Sequence, residues 1–262
     1  MQSVTGKRNT ARLIIQFALD DLEGRYAGSL GGTAWAFLQP LTTILIYWFI
    51  FQVGFKSQPV DGCPFILWLL SGLLPWFFVG EALQGATSSL ADYGYLVKKI
   101  VFKVEILPLV RVVASSIVQL FLLVIALIVF AIFGRFPYGA VFYLVIPFAY
   151  MILLVSGIGY ITSAFFVFFK DLVQIIGIIL QAVFWLTPIV WDFNIMPEAV
   201  RRVLTFNPLY YVVTGYRAAL IGKEPPPVGL PMTVYYWVIA LLFLFIGRKV
   251  FMRMKGHFAD VL

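Results

Sequence analysis

The chain has 262 residues, of which 62% are hydrophobic, 18% aromatic and 12% charged, and its mean hydropathy is +0.97. A soluble domain carries about 25% charged residues, so a water-soluble core of this size cannot hide that much apolar surface, and the apolar runs exceed the roughly 10 residues of a barrel strand. Helices are the remaining way to satisfy backbone polar groups in hydrocarbon, so the sequence predicts an all-α integral membrane protein; its charge of +7 sits beside apolar runs, where basic residues anchor topology and do not make a nucleic-acid patch.

In chain order, the polar start leads into an amphipathic helix over 10–27. Leu13, Ile14, Phe17, Ala18, Leu22 and Tyr26 recur at helical spacing opposite Arg12, Gln16, Asp20 and Glu23, which suits a helix lying in the membrane interface. Asp20 and Asp21 interrupt the apolar run that a signal peptide would need. Six membrane spans are expected at 32–53, 64–83, 112–133, 141–169, 172–191 and 232–247. Pro40 sits inside the first span and is expected to kink it. Between the second and third spans lies a charged stretch with Asp92, Lys98, Lys99, Lys103 and Glu105. The region 192–220 mixes aromatic residues with Arg201, Arg202 and Arg217, which fits short helices in the outer leaflet better than a solvated loop.

Placing the N-terminus in the cytoplasm puts thirteen of the nineteen basic residues inside. Four of the other six lie in the long segment after span five, where the charge rule is weakest, so both termini are expected to be cytoplasmic. No internal repeat is evident, which counts against inverted-repeat secondary transporters.

Catalysis has little to work with. The carboxylates are scattered, the one histidine, His257, is near the C-terminus, and Cys63 alone allows neither an intrachain disulfide nor a cysteine cluster for a metal. The Gly-Lys pairs, Gly6-Lys7 and Gly222-Lys223, are followed by Arg8 and Glu224, so no phosphate-cradling loop exists and any ATP must be hydrolysed by another chain. The chain is expected to be no enzyme; recognition and passage remain.

Five blocks, in order, carry a family resemblance. They are Asp21, Arg25, Tyr26, Ser29 to Gly31, Trp35, Gln39 and Pro40; Leu70 to Trp76 with Phe78; Leu96 to Pro108; Phe169 to Asp171 with Thr187, Pro188, Pro197, Asn207, Pro208 and Tyr216 to Gly222; and Phe258 to Leu262. With six spans between them, the chain resembles the polysaccharide-exporting permeases of the type-two ATP-binding-cassette transporters. It departs from them at Gly24 and Gly28, where a basic or polar residue is more usual.

The resemblance implies a homodimer working with two cytoplasmic cassette ATPases that hold ATP and Mg. The permease itself would bind no cofactor, and the cargo would be a glycan on a polyprenyl phosphate or pyrophosphate, moved across the bacterial cytoplasmic (inner) membrane. Arg25, Tyr26 and Glu81 are the candidates for admitting the anionic headgroup. Sugars stack on aromatic faces, which makes Trp35, Tyr47, Trp48, Trp76, Tyr150 and Tyr160 candidates for a glycan path. The resemblance makes 93–104 the helix that docks in the ATPase, through Tyr93, Leu96, Lys98, Lys99 and Lys103. Segments within 192–220 would form the outer gate, with Trp191, Asn207, Pro208, Tyr210, Tyr211 and Arg217 as its candidate residues. A drug or small-lipid exporter, a membrane-embedded transferase and a membrane scaffold are the rival readings.

Overall fold

The computed structural model describes residues 2–25, 28–60, 62–98, 102–222 and 229–262. Tyr26 and Lys99, expected at the headgroup gate and the ATPase dock, lie outside the described residues. Eleven α-helices run in order among those described: α1 Gln2–Arg25, α2 Trp35–Trp48, α3 Phe65–Asp92, α4 Gly94–Val97, α5 Leu107–Ile132, α6 Val145–Phe166, α7 Leu172–Leu186, α8 Glu198–Leu204, α9 Pro208–Ile221, α10 Leu230–Met254 and α11 Phe258–Val261. Among the described residues, five helical runs are long and apolar enough to cross a membrane: Gly32–Gly54, Phe65–Asp92, Val104–Ile132, Ala140–Phe166 and Leu230–Val261.

The expected span over 172–191 is a shorter object. At 15 residues, α7 reaches roughly 22 Å, against the roughly 30 Å of a hydrocarbon core. Its stop is local: Pro188 disfavours helical geometry at the residue before it, and Thr187 is extended at φ −101°, ψ 134°. The stretch 93–104 is likewise no continuous helix. Tyr93 leaves helical geometry at φ −107°, ψ 28°, and the chain then forms the four-residue α4 and, beyond it, a 3-10 turn at Val104–Ile106. Other boundaries move outward: α1 starts at Gln2, and α3 continues through Asp92.

The central helix is α3, which buries eighteen of its 28 residues. Small residues let its neighbours approach. A Cβ on Gly159 of α6 would stand 2.8 Å from the Cβ of Ala86, and one turn further along Thr87 Oγ1 donates to Thr162 Oγ1 at 2.7 Å. On another face of α6 the approach to α10 is closer still. A Cβ on Gly247 would fall 2.2 Å from the carbonyl oxygen of Gly157, and one on Gly157 would fall 2.4 Å from the backbone nitrogen of Leu244. Between lipid-facing helices, where no hydrophobic drive favours association, such close packing is what holds the pair together. By contrast α2 stands off from the bundle and buries only Ala36 and Ile44. It ends in a π-helical turn at Phe49–Gly54.

Candidate functional site

At the end of the bundle where α1, α3 and α10 stop, five charged side chains form one network. Asp21 is 4% exposed and stands at its centre. It accepts a hydrogen bond from Nε of Arg25, one helical turn on, at 2.8 Å, with Nη2 of the same guanidinium 2.6 Å away in the ion pair, and pairs with Nη1 of Arg111 at 3.1 Å. The hydroxyl of Tyr93 also donates to it. Arg25 reaches across to Glu81 of α3 at 2.9 Å, while Arg111 holds Asp92 at 2.6 Å and lies over the Tyr93 ring. Burial, first, and then the hydrogen bond to Asp21 push the Tyr93 phenol well above its ordinary pKa, so it remains a proton donor at any physiological pH. Three carboxylates face two guanidinium groups. The cation expected to meet a headgroup is therefore already neutralised.

Arg25 and Glu81 also form part of the wall of a cavity of about 460 Å³ between α2, α3 and α5. Gln39, Thr43, Gln84, Ser115 and Gln119 contribute polar groups, and Trp76, Phe77 and Phe78 contribute aromatic surface. Gln119 is 1% exposed; its Nε2 donates to the Tyr216 hydroxyl at 3.3 Å, and its Oε1 has no hydrogen-bond partner among the described residues. A buried acceptor left so costs about 1–3 kcal/mol until a donor arrives. A neutral, hydroxyl-rich molecule supplies such donors, and an apolar one does not.

The expected path aromatics divide. Trp76 lines the cavity and packs on Phe184 of α7 at 5.3 Å, and Tyr47 stacks on the same ring at 6.2 Å. Trp35 and Trp48 are exposed on α2. Tyr150 and Tyr160 are instead interior to this chain. Tyr150 sits edge-on to Tyr211 and donates to the Pro208 carbonyl at 3.3 Å; Tyr160 donates to the Glu105 carbonyl at 3.1 Å. Each buried ring finds a carbonyl acceptor for its hydroxyl, which is how tyrosine is accommodated inside the bundle.

Of the expected docking residues, Leu96 in the α4 turn is buried in one apolar cluster with Val104, Leu107 and Phe258, whereas Lys98 and Lys103, like Tyr95, are exposed. The C-terminal segment braces this turn from below. Lys255 pairs with Glu105 at 2.7 Å, and Phe258, fully buried, packs on Phe251 at 5.2 Å. The sequence signal for that brace is the Phe258 to Leu262 block.

At the opposite end, the segment after α7 is pinned. Arg217 of α9 lies over the Trp68 ring at 3.7 Å and donates to the carbonyls of Pro188 and Ile189 at 2.6 and 2.7 Å. Gly72 makes room: a Cβ there would meet the Ile189 oxygen at 2.8 Å. Asn207 caps α9 by accepting from the Leu209 amide and donates to Thr187 at 2.8 Å, with Pro208 in the first turn. Trp191 donates to the Trp185 carbonyl, Tyr210 packs on Phe193, and Tyr211 stacks on Tyr236. Replacing Arg217 by alanine leaves two carbonyls and an aromatic face without their cation, a loss of about 3 kcal/mol. The expected result is a Tm of the purified protein lower by roughly 6–12 °C, with Arg217→Lys falling between, since an ammonium cannot form the planar fork.

Comparison with known proteins adds a family. The profile described as "ABC-2 type transporter" matches residues 21–221. The chain is 24% identical over 257 residues to an O-antigen export system permease protein of Klebsiella pneumoniae, covering 95% of each chain. It is 26% identical over 250 residues to a protein of the same description from Myxococcus xanthus, covering 95% of this chain and 94% of that one. A polysialic acid transport protein of Escherichia coli is 23% identical over 237 residues, covering 89% and 90%.

Proposed function

Because the chain belongs to the ABC-2 type transporter family, as a membrane-embedded transport subunit whose ATPase is a separate protein, we propose that it is the permease of an exporter for polyprenyl-(pyro)phosphate-linked polysaccharide in the bacterial cytoplasmic membrane. The observation that carries the reading is similarity along nearly the whole chain to transport proteins named for two different polysaccharides, O-antigen and polysialic acid. Two copies pair with two cassette ATPases, which hold ATP and Mg, and both termini face the cytoplasm. In this reading α1 lies along the inner interface, and α7 with the extended residues after it forms the fifth of six crossings.

The charged network then has a definite task. A phosphate approaching from the cytoplasm competes with Glu81 for Arg25, and its sugars meet the polar cavity, where the free acceptor of Gln119 takes a hydroxyl. Aromatic surface at Trp76 and Tyr47 offers stacking faces further along. The exposed Tyr95, Lys98 and Lys103 form the knob that the ATPase grips.

Deleting the gene tests this. Lipid-linked glycan is expected to accumulate on the cytoplasmic face, and the wild-type gene restores export. A copy carrying Lys98→Glu and Lys99→Glu is expected to reach the membrane in normal amount, lose ATPase co-purification and fail to restore export. Normal export in the deletion strain would overturn the function, and normal ATPase binding by the double variant would overturn the dock.

A further inference from the structure

In the chain, the exposed Lys98 and Lys103 stand between two short apolar stems, Leu96 and Val97 on α4 and Val104 at the 3-10 turn before α5. Neither stem can hold its own shape. α4 is a single turn, and an isolated turn carries the full cost of helix nucleation with no further residues to offset it. Its position has to come from what it packs on. Both stems are buried in one apolar cluster, to which the end of α6 contributes Tyr160 and Ala164, and the end of α10 and the segment after it contribute Phe251 and Phe258.

Phe258 reaches this cluster because the chain folds back. A continuous helix would set positions 251 and 258 about 10.5 Å apart along its axis, yet the two rings lie 5.2 Å apart, centre to centre. The 3-10 turn Lys255–His257 makes the fold, with Gly256, a poor helix former, in its middle, and it lays α11 against α4. Phe258 also approaches Phe168, in the connection between α6 and α7, at 6.3 Å. The same turn aims Lys255 at Glu105, 2.7 Å away and 150 positions earlier in the chain. This pair is about a third exposed on each side, at 32% and 30%, so it adds little to stability. What it fixes is direction: it ties the second stem to α10, whose backbone is set against α6 at Gly157 and Gly247.

We propose that Lys255 and Phe258 are positioning residues for ATPase docking, with the segment after α10 propping both stems so that Lys98 and Lys103 are presented in a fixed arrangement. A surface ordered before its partner arrives loses less freedom on binding, so bracing is read as affinity. The proposal rests on the reading of this turn as the dock and adds the distant part of the chain that holds it.

The test uses the whole chain in nanodiscs of phosphatidylethanolamine and phosphatidylglycerol, with the cassette ATPase that co-purifies with wild type. Two quantities are measured: amide hydrogen exchange of the two stems in the permease alone, and the Kd of the ATPase for it. Lys255→Glu, which sets like charges face to face, is expected to speed exchange of the stems, leave that of α3 unchanged and raise Kd roughly fivefold. Adding Glu105→Lys reverses the pair and is expected to bring Kd back to within about twofold of wild type. Lys255→Arg keeps the charge and is expected to bind as wild type. Phe258→Leu, a milder change than alanine at a fully buried ring, is expected to raise Kd roughly fivefold as well. Arg253→Glu, exposed on the last turn of α10, alters the net charge as Lys255→Glu does and is expected to leave both quantities unchanged. Exchange unaltered by both Lys255→Glu and Phe258→Leu, faster exchange with an unchanged Kd, or a Kd raised equally by Arg253→Glu would each overturn the proposal while leaving the dock in place. Lys98→Glu with Lys99→Glu is run alongside, and normal ATPase binding by that variant overturns the dock, and the brace with it.

Discussion

Replacing Gly247 by leucine abolishes folded protein. The backbones of α6 and α10 touch at this point, where even a methyl group would lie 2.2 Å from the carbonyl oxygen of Gly157. An ordinary contact is above 3 Å, so the helices must separate by about 1 Å or more, and backbone, unlike a flexible side chain, cannot turn aside. Overpacking that side chains can absorb costs about 1–3 kcal/mol; here the whole α6–α10 interface opens, a loss that rivals the 5–15 kcal/mol by which a typical protein is stable. Fluorescence-detected gel filtration of tagged protein checks it: Gly247→Leu is expected in the void volume or absent, and Gly157→Ala strongly reduced. Gly177→Ala is the control, since a Cβ there meets nothing within 4 Å; it is expected to run as wild type or slightly better, alanine favouring the helix by about 1 kcal/mol. A monodisperse Gly247→Leu peak would refute the close approach.

These two glycines show where the sequence stops being readable. Apolar runs of membrane length announce themselves by composition, which is why α3, α5, α6 and α10 are recognisable from residue order alone. The partner of a glycine is set by tertiary contact, and the only local sign is small residues within an apolar helix, as at Ser156, Gly157 and Gly159. The end of α7 failed differently. Ile189, Val190 and Trp191 carry the hydropathy past Pro188, so an average over the window hides a stop that one residue enforces. Long-range charge pairing left still less trace. Arg25 and Glu81 are 56 positions apart, and Arg111 is 9% exposed at its side chain and shared between Asp21 and Asp92. Tyrosines inside spans are ambiguous for a related reason: hydropathy cannot tell a ring on a glycan path from one that closes a buried carbonyl, as Tyr150 and Tyr160 do.

Asp21→Asn separates the transporter's two ends. The substitution keeps the volume but removes the charge that two guanidinium groups share, at a side chain only 2% exposed. Breaking a buried pair costs about 3–5 kcal/mol, because the partners stay behind uncompensated; Arg25, at 18% side-chain exposure, recovers part of its share from water, so about 3 kcal/mol is expected. The Arg202–Glu198 pair gives the scale for an exposed bridge. Its side chains are 76% and 68% exposed, and Arg202→Ala is expected to leave Tm unchanged. The functional consequence comes from connectivity. Asp21 joins the cavity wall, through Arg25 and Glu81, to Tyr93, which leads directly into α4 and the exposed Lys98. A substrate phosphate that draws Arg25 away from its carboxylates therefore changes what holds Tyr93. With Asp21→Asn, basal ATP hydrolysis by the reconstituted complex is expected to persist while its stimulation by lipid-linked glycan falls at least tenfold, the equivalent of about 1.4 kcal/mol of lost coupling. Tyr93→Phe alone is expected to weaken stimulation, and to do little more once Asp21→Asn is present, because the hydroxyl then has no anion to hold. If the two substitutions add in full, or if Asp21→Asn keeps both its Tm and its stimulation, the network is a structural clasp and not a relay.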